Sequence, residues 1–181
     1  MESKAKFLGH PIHPMLIVFP LGLFMSAILF DIIYLVTGDQ VFAAVAFYNI
    51  AGGIIGGVVA AIFGFWDYFA IPKGTRAKRI GTFHGFGNLA VVLLFSMSWL
   101  FRLTSPEYEP PLIAMAFSFL AGTLGLGTAW LGGELVDRLG VGVDPGANLN
   151  APSSLTQEPA GQSVSMAQVP VTGEDTEGDQ S

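Results

Sequence analysis

The chain of 181 residues has no cysteine, only three histidines and only eight lysines and arginines. Without thiols there can be no disulfides, thiolate metal centres or cysteine-held iron–sulfur clusters, although the lack does not identify a compartment. Charged residues make up 12% of the chain against 51% hydrophobic, and the mean hydropathy is +0.57. Missing too are a nucleophile-elbow sequence, a phosphate-binding loop and an HExxH zinc signature, which makes an enzyme the least expected class. No nucleic-acid partner is expected.

What remains is membrane composition. A transmembrane helix takes about 20 predominantly apolar residues, and four stretches qualify: Met15 to Val36, Val41 to Phe69, Phe83 to Leu103 and Leu112 to Leu131. The first follows Lys4 and Lys6 but is too long for a signal-peptide core and lacks a small-residue cleavage site, so it reads as a retained anchor. Lys4, Lys6, Lys73, Arg76, Lys78, Arg79 and Arg138 all fall on one face and Arg102 alone on the other. The positive-inside rule then puts both termini in the cytoplasm. The expected fold is all-α, an integral membrane up-down four-helix bundle embedded in a lipid bilayer, with no internal repetition evident between its spans.

Two regions follow from composition: a four-span domain over residues 1–143 and an acidic tail over 144–181. The tail carries Asp144, Glu158, Glu174, Asp175, Glu177 and Asp179 with no basic or aromatic residue. Such a segment cannot bury enough apolar surface to offset its ordering entropy. It is expected to be a disordered, solubilising cytoplasmic tail.

Small residues organise the spans. Gly53, Gly57, Ala60 or Ala61, and Gly64 recur on one face of span two, and Gly122, Gly125, Ala129 and Gly132 or Gly133 on one face of span four. Such faces let backbones approach in lipid, here within one chain. Pro20 predicts a kink in span one. Trp66 and Trp130 near one face and Trp99 near the other predict an aromatic belt.

Polar residues at membrane depth are costly, so their placement carries information. His10 and His13 open span one, Asp67 closes span two, His84 and Asn88 open span three, and Glu134 follows span four, all at one face. Asp31 lies near the opposite face, where Arg102 is its natural partner. His10 and His13 each precede a proline, which predicts extended backbone at both and a helix opening at Pro14. The positive end of that helix favours the neutral imidazole that coordinates metals. Helical spacing puts Gly81, His84, Gly85 and Asn88 on one face, where glycines leave room for a flat macrocycle.

These groups leave two cofactor readings open. Haem b could be held between His84 and His10 or His13, with Gly81, Gly85 and Asn88 around it. A divalent metal could instead be held by His10, His13 and His84 with Asp67 or Glu134. The histidines could also simply cap and pack the interface.

In Gly9–Pro14, Trp66-Asp67-Tyr68, Gly81–Asn88 and Trp130–Val136, in that order, the chain resembles a bacterial membrane family known as domain of unknown function 2231. The resemblance covers residues 7 to about 143 and leaves out the tail. It implies a small integral membrane protein and supplies no activity. Members are sometimes fused to Rieske-type or cytochrome-type redox domains, which implies electron transfer and a redox protein partner. The function expected is therefore a non-enzymatic membrane protein whose histidine cluster binds haem b or a metal in membrane electron transfer. A structural or assembly protein without cofactor, and a small transporter or channel subunit using Asp31 and Asp67, are the alternatives.

Overall fold

A computed structural model describes residues 1–162. The chain opens with a short hairpin, β1 (Lys6–Phe7) and β2 (His10–Pro11), paired antiparallel with Phe7 opposite His10. Leu8 and Gly9 make its two-residue turn at φ of 51° and 83°, the positive-φ pair that tight hairpins require. Among the described residues five α-helices follow: α1 (Ile12–Leu16), α2 (Val18–Thr37), α3 (Gln40–Ala70), α4 (Arg76–Leu103) and α5 (Leu112–Gly133), the last running on into a π-helical turn over Glu134–Arg138.

Caps set the helix limits. Gly38, at φ 70°, stops α2 and returns its N–H to the Tyr34 carbonyl. Asp39 then caps α3 by accepting from the Val41 N–H, and Thr75 caps α4 by accepting from the Lys78 N–H. The Thr75 cap explains why α4 begins seven residues before its apolar run. The four spans expected from hydropathy are all present as helices long and apolar enough to cross a membrane. Large apolar side chains such as Phe19, Ile55, Phe86 and Leu120 point outward, an arrangement costly in water and ordinary in lipid.

Span one runs as one helix from Ile12 to Thr37, against the expected kink. Pro20 has no N–H to give the Leu16 carbonyl, but Ile17 is helical and the Ile17 and Leu21 N–H groups bond the His13 and Ile17 carbonyls at 3.1 Å each, which carries α1 into α2. Pro20 is buried against Gly56, with its Cδ 3.2 Å from where a Cβ would stand.

The two hairpins α2–α3 and α4–α5 repeat one another, contrary to the sequence reading. Span one (α1 with α2) and α4 run parallel across the bundle axis and meet side chain to side chain at three levels. Near one end the rings of His13 and His84 lie 6.4 Å apart at 88°. At mid-depth Phe24 and Phe95 stack with centroids 4.0 Å apart and planes parallel. Near the other end Arg102 binds Asp31 bidentately at 2.7 and 2.6 Å. Each pair is separated by 71 positions. About 16 Å and then about 10 Å of helix separate the levels. The returning helices match at an offset of 68, with Ala46 on Ala114, Gly57 on Gly125, Ala61 on Ala129 and Gly64 on Gly132. The repeat escapes inspection because the equivalent residues differ in kind: Asp31 answers Arg102, Ile17 answers Asn88 and Ala60 answers Thr128. The core is the seam of this pseudo-twofold: Phe24, Ala27, Ala46, Ile50, Val91, Phe95 and Ala121.

Trp99 departs from the expected belt. It stacks on the buried Phe47 at 5.4 Å, and Tyr108 covers the same ring at 4.0 Å. Trp66 and Trp130 are exposed at the histidine end as expected.

Candidate functional site

The three histidines do not form one cluster. His10 is exposed on β2, and its Nε2 lies 3.1 Å from the Ser154 hydroxyl. His13 and His84 face each other across the axis, and their surroundings are built alike. His13 Nδ1 lies 2.9 Å from the Ala60 carbonyl of α3; His84 Nδ1 lies 2.9 Å from the Thr128 carbonyl of α5. A carbonyl only accepts, so each Nδ1 carries the proton and each Nε2 keeps its lone pair. A Cβ on Gly64 would stand 2.9 Å from Cε1 and Nδ1 of His13; one on Gly132 would stand 3.1 Å from Cε1 of His84. These glycines are the seats of the two rings.

His13 itself is helical, in the first turn of α1, rather than extended as the pre-proline rule predicts. First-turn N–H groups have no intrahelical partner, so Pro14 costs no hydrogen bond there. Pro11, extended at ψ 128°, is the N-cap instead.

His84 has a brace that His13 lacks. Asn88 donates to the His84 carbonyl at 2.9 Å, and the Thr128 hydroxyl donates to the Asn88 side-chain oxygen at 2.9 Å. Asn88 Nδ2 stands 3.4 Å from Nδ1 and 3.1 Å from Nε2 of the ring. The two ring nitrogens are roughly 2.2 Å apart, so an amide nearly equidistant from both lies beside the ring and off the Nε2 lone-pair direction. Of the two glycines expected beside His84, Gly85 is exposed with open space around it and Gly81 packs on Tyr68 and Ile71. Both stand on α4 itself, whereas the ring leans across to α5. The glycine that matters for it, Gly132, was legible only as part of a packing stripe.

The acids go elsewhere. Asp67 accepts from the Ser3 hydroxyl at 2.8 and 2.7 Å, from the Lys4 N–H at 2.7 Å and from the Ala5 N–H at 3.3 Å. Glu134 pairs with Arg76 at 2.6 Å. Among the described residues no three His, Cys, Asp or Glu side chains converge as a metal site would require.

Asp67 thus holds an amino-terminal strap over this end of the bundle. Its far end is tied by the Met1 ammonium to the Gly140 carbonyl at 2.6 Å and by the Gly142 N–H to Met1 at 2.8 Å. The Ala5 carbonyl accepts from the Ile12 N–H at 2.9 Å, joining the strap to the turn that carries His13. Lys6 bonds Asp144, whose carboxylate raises the lysine pKa above its ordinary value. Residues 144–162 run as turns against the strap, including a 3-10 turn at Ser154–Thr156. The remaining acids of the expected tail, Glu174, Asp175, Glu177 and Asp179, lie outside the described residues.

A family model described as "Predicted membrane protein (DUF2231)" matches residues 9–145, which contain all three histidines and α1 to α5. No curated protein and no solved structure shows a significant match.

Proposed function

The chain belongs to the predicted membrane proteins grouped as DUF2231, and on that footing we propose that it is a haem b-binding electron-transfer protein whose axial residues are His13 and His84. One observation carries the reading: two imidazoles, each with Nδ1 committed to a carbonyl of the neighbouring helix, stand 6.4 Å apart at their ring centroids. With metal–nitrogen bonds of about 2 Å and roughly 1.2 Å from each centroid to its nitrogen, two imidazoles sharing one ion stand about 6 to 6.5 Å apart.

The donor count favours haem over a bare ion. Two nitrogens are too few for a divalent metal, which takes four or more ligands, and neither Asp67 nor Glu134 is free to add one. A porphyrin brings four nitrogens and needs two axial ones. When bound, it would supply a one-electron couple. The chain's own residues would orient that couple, through the Ala60 and Thr128 carbonyls that fix both tautomers and raise imidazole basicity.

The placement proposed is a bacterial inner membrane with both termini in the cytoplasm. Seven basic residues lie at the histidine end, and Arg102 is neutralised by Asp31, so the charge bias is stronger than a count of lysines and arginines gives. A redox protein would then dock at the histidine end. No observation favours a solute path, since Asp31 and Asp67 are both fully engaged.

The test is the absorption spectrum of the protein purified in detergent after haem supplementation. The expected result is a Soret band of six-coordinate character that His13→Ala and His84→Ala each abolish while His10→Ala leaves it unaltered. No Soret band would overturn the reading, and stoichiometric metal in its place would return the site to the divalent-ion alternative.

A further inference from the structure

Lipid offers no hydrogen bonds, so a polar side chain at the outer surface of a span must find its partners in protein. Ser96 and Thr123 do so within their own helices, donating to the Val92 and Phe119 carbonyls at 2.7 and 2.9 Å. Asn49 does not. It stands one turn from Gly53, whose contact with the Phe24 ring marks mid-depth, and it is half-buried at the boundary of α2 and α3. There it donates one amide proton to the Ser26 hydroxyl at 2.9 Å, and that hydroxyl gives its own proton to the Leu23 carbonyl at 3.1 Å. The second Nδ2 proton and Oδ1 have no partner among the described residues. They are not sealed in, since the enclosed side-chain atoms without a partner there are Gln40 Oε1 and Trp99 Nε1. Asn49 therefore turns one donor and one acceptor, side by side, toward the outer surface.

Packing does not require this arrangement, as the repeat itself shows. At the matching places the second hairpin carries Leu93 for Gly22, Met97 for Ser26 and Phe117 for Asn49. Leu93 and Met97 are exposed and Phe117 stacks on Phe101. Gly22, one turn from Ser26, is exposed too, and a Cβ there would meet nothing within 4 Å, whereas Gly52, Gly53, Gly56 and Gly57 of α3 are filled from within the chain.

We propose that this face docks a second copy of the chain, about a twofold axis along the bilayer normal, with the two Asn49 side chains paired across the axis. The free groups themselves choose the occupant. A primary amide is its own complement: each free N–H donates to the other copy's Oδ1, and two equal bonds satisfy both copies. Copies inserted alike hold their amides at one depth. Gly22 and Ser26, four residues apart, let the two α2 backbones approach closely enough for the amides to meet. The inference is independent of the haem reading and uses neither histidine.

The test exploits the absence of cysteine. Gly22→Cys, oxidised in membranes with copper phenanthroline, should give a covalent dimer, whereas Leu93→Cys, its counterpart at equal depth on the other hairpin, should stay a single chain. Energy transfer between copies labelled at an added carboxy-terminal cysteine and diluted in lipid vesicles should report a dimer. Asn49→Leu should raise its Kd roughly 10- to 100-fold, the worth of two interhelical hydrogen bonds in lipid. Asn49→Phe, which copies the second hairpin, should do the same with unchanged helix content, so that misfolding is not the cause. Equal cross-linking at positions 22 and 93, a dimer that Asn49→Leu leaves intact, or cross-links from position 22 to a different protein alone would overturn the inference and leave the haem reading standing.

Discussion

Asp31 and Arg102 form an ion pair with no exposed surface on either side chain, at the end of the bundle opposite the histidines. Arg102 also donates to Ser98 at 3.3 Å and Ser118 at 3.4 Å, and those hydroxyls bond each other at 2.7 Å. Asp31→Leu strands the guanidinium in a dry core with only the two serines and should cost about 3–5 kcal/mol. Arg102→Met strands the carboxylate and should cost a similar amount. Both changes together remove both charges and fill the space with apolar atoms, so the double variant should return to within about 1 kcal/mol of the parent or exceed it. The pseudo-twofold adds a sharper arm, the exchange Asp31→Arg with Arg102→Asp, which rebuilds the pair with its ends reversed. Around the new arginine, Ala27 and Ile50 stand where Ser98 and Ser118 served the old one, so the exchange should fall short of the parent by about 1–2 kcal/mol, the worth of two long hydroxyl bonds. The assay is reversible unfolding in mild detergent titrated with a denaturing one, followed by circular dichroism. A double variant as unstable as the sum of its singles would refute the pairing as the source of stability, and an exchanged variant no better than Asp31→Leu would refute the equivalence of the two positions.

Two further outcomes can be checked on the same preparations. A Cβ on Gly53 would fall 2.5 Å from the Phe24 ring, whereas one on Gly22 meets nothing within 4 Å; Gly53→Ala should therefore destabilise by about 1–3 kcal/mol and Gly22→Ala should be neutral or stabilise by up to about 1 kcal/mol, and the opposite order would contradict the close contact of α2 and α3. The Lys6 pKa is raised chiefly by its hydrogen bond to Asp144, so its contribution is complete below the ordinary lysine pKa of about 10.4 and is lost as pH climbs through the higher folded value. Protease resistance of residues 144–162 should hold from pH 7 to about 10 and fall above that range, and Lys6→Met should remove the alkaline step; a fall beginning near neutrality would point to a different anchor.

Much of the bundle is legible in the sequence because lipid imposes a coarse requirement, a run of apolar residues of sufficient length. The Asp31–Arg102 pair is legible for the same reason, since depth along a helix is simple arithmetic and an unpaired charge there is costly. The depth match of His13 and His84 can be read in that way as well. Local rules were less reliable where tertiary contacts compete with them. The pre-proline preference at His13 gave way to a helical turn that delivers the ring to the Ala60 carbonyl, and the expected face of Gly81 and Gly85 gave way to the reach of the His84 ring across to Thr128 and Gly132 of α5. Asp67 has a metal ligand's chemistry, but four donor contacts from residues 3–5 claim it, and nothing near Asp67 in sequence announces them. Gly64, Gly132 and Thr128 could have been found by sliding the second hairpin over the first until the histidines coincided. Only a few scattered identities, Phe24 with Phe95 and Leu23 with Leu94 among them, support that alignment.

The seam between the two hairpins has a consequence for how the chain enters the membrane. When α2 and α3 have been inserted and α4 has not, Asp31 faces lipid with no countercharge, and the first hairpin is an incomplete object that must be held near the insertion machinery or take up a proton. Arg102 arrives 71 residues later and neutralises it, so the last turns of α4 release the first half of the protein as well as completing the second. Biogenesis is thereby timed by a single arginine, and a truncation just before it should leave a fragment that is inserted but slow to leave the machinery.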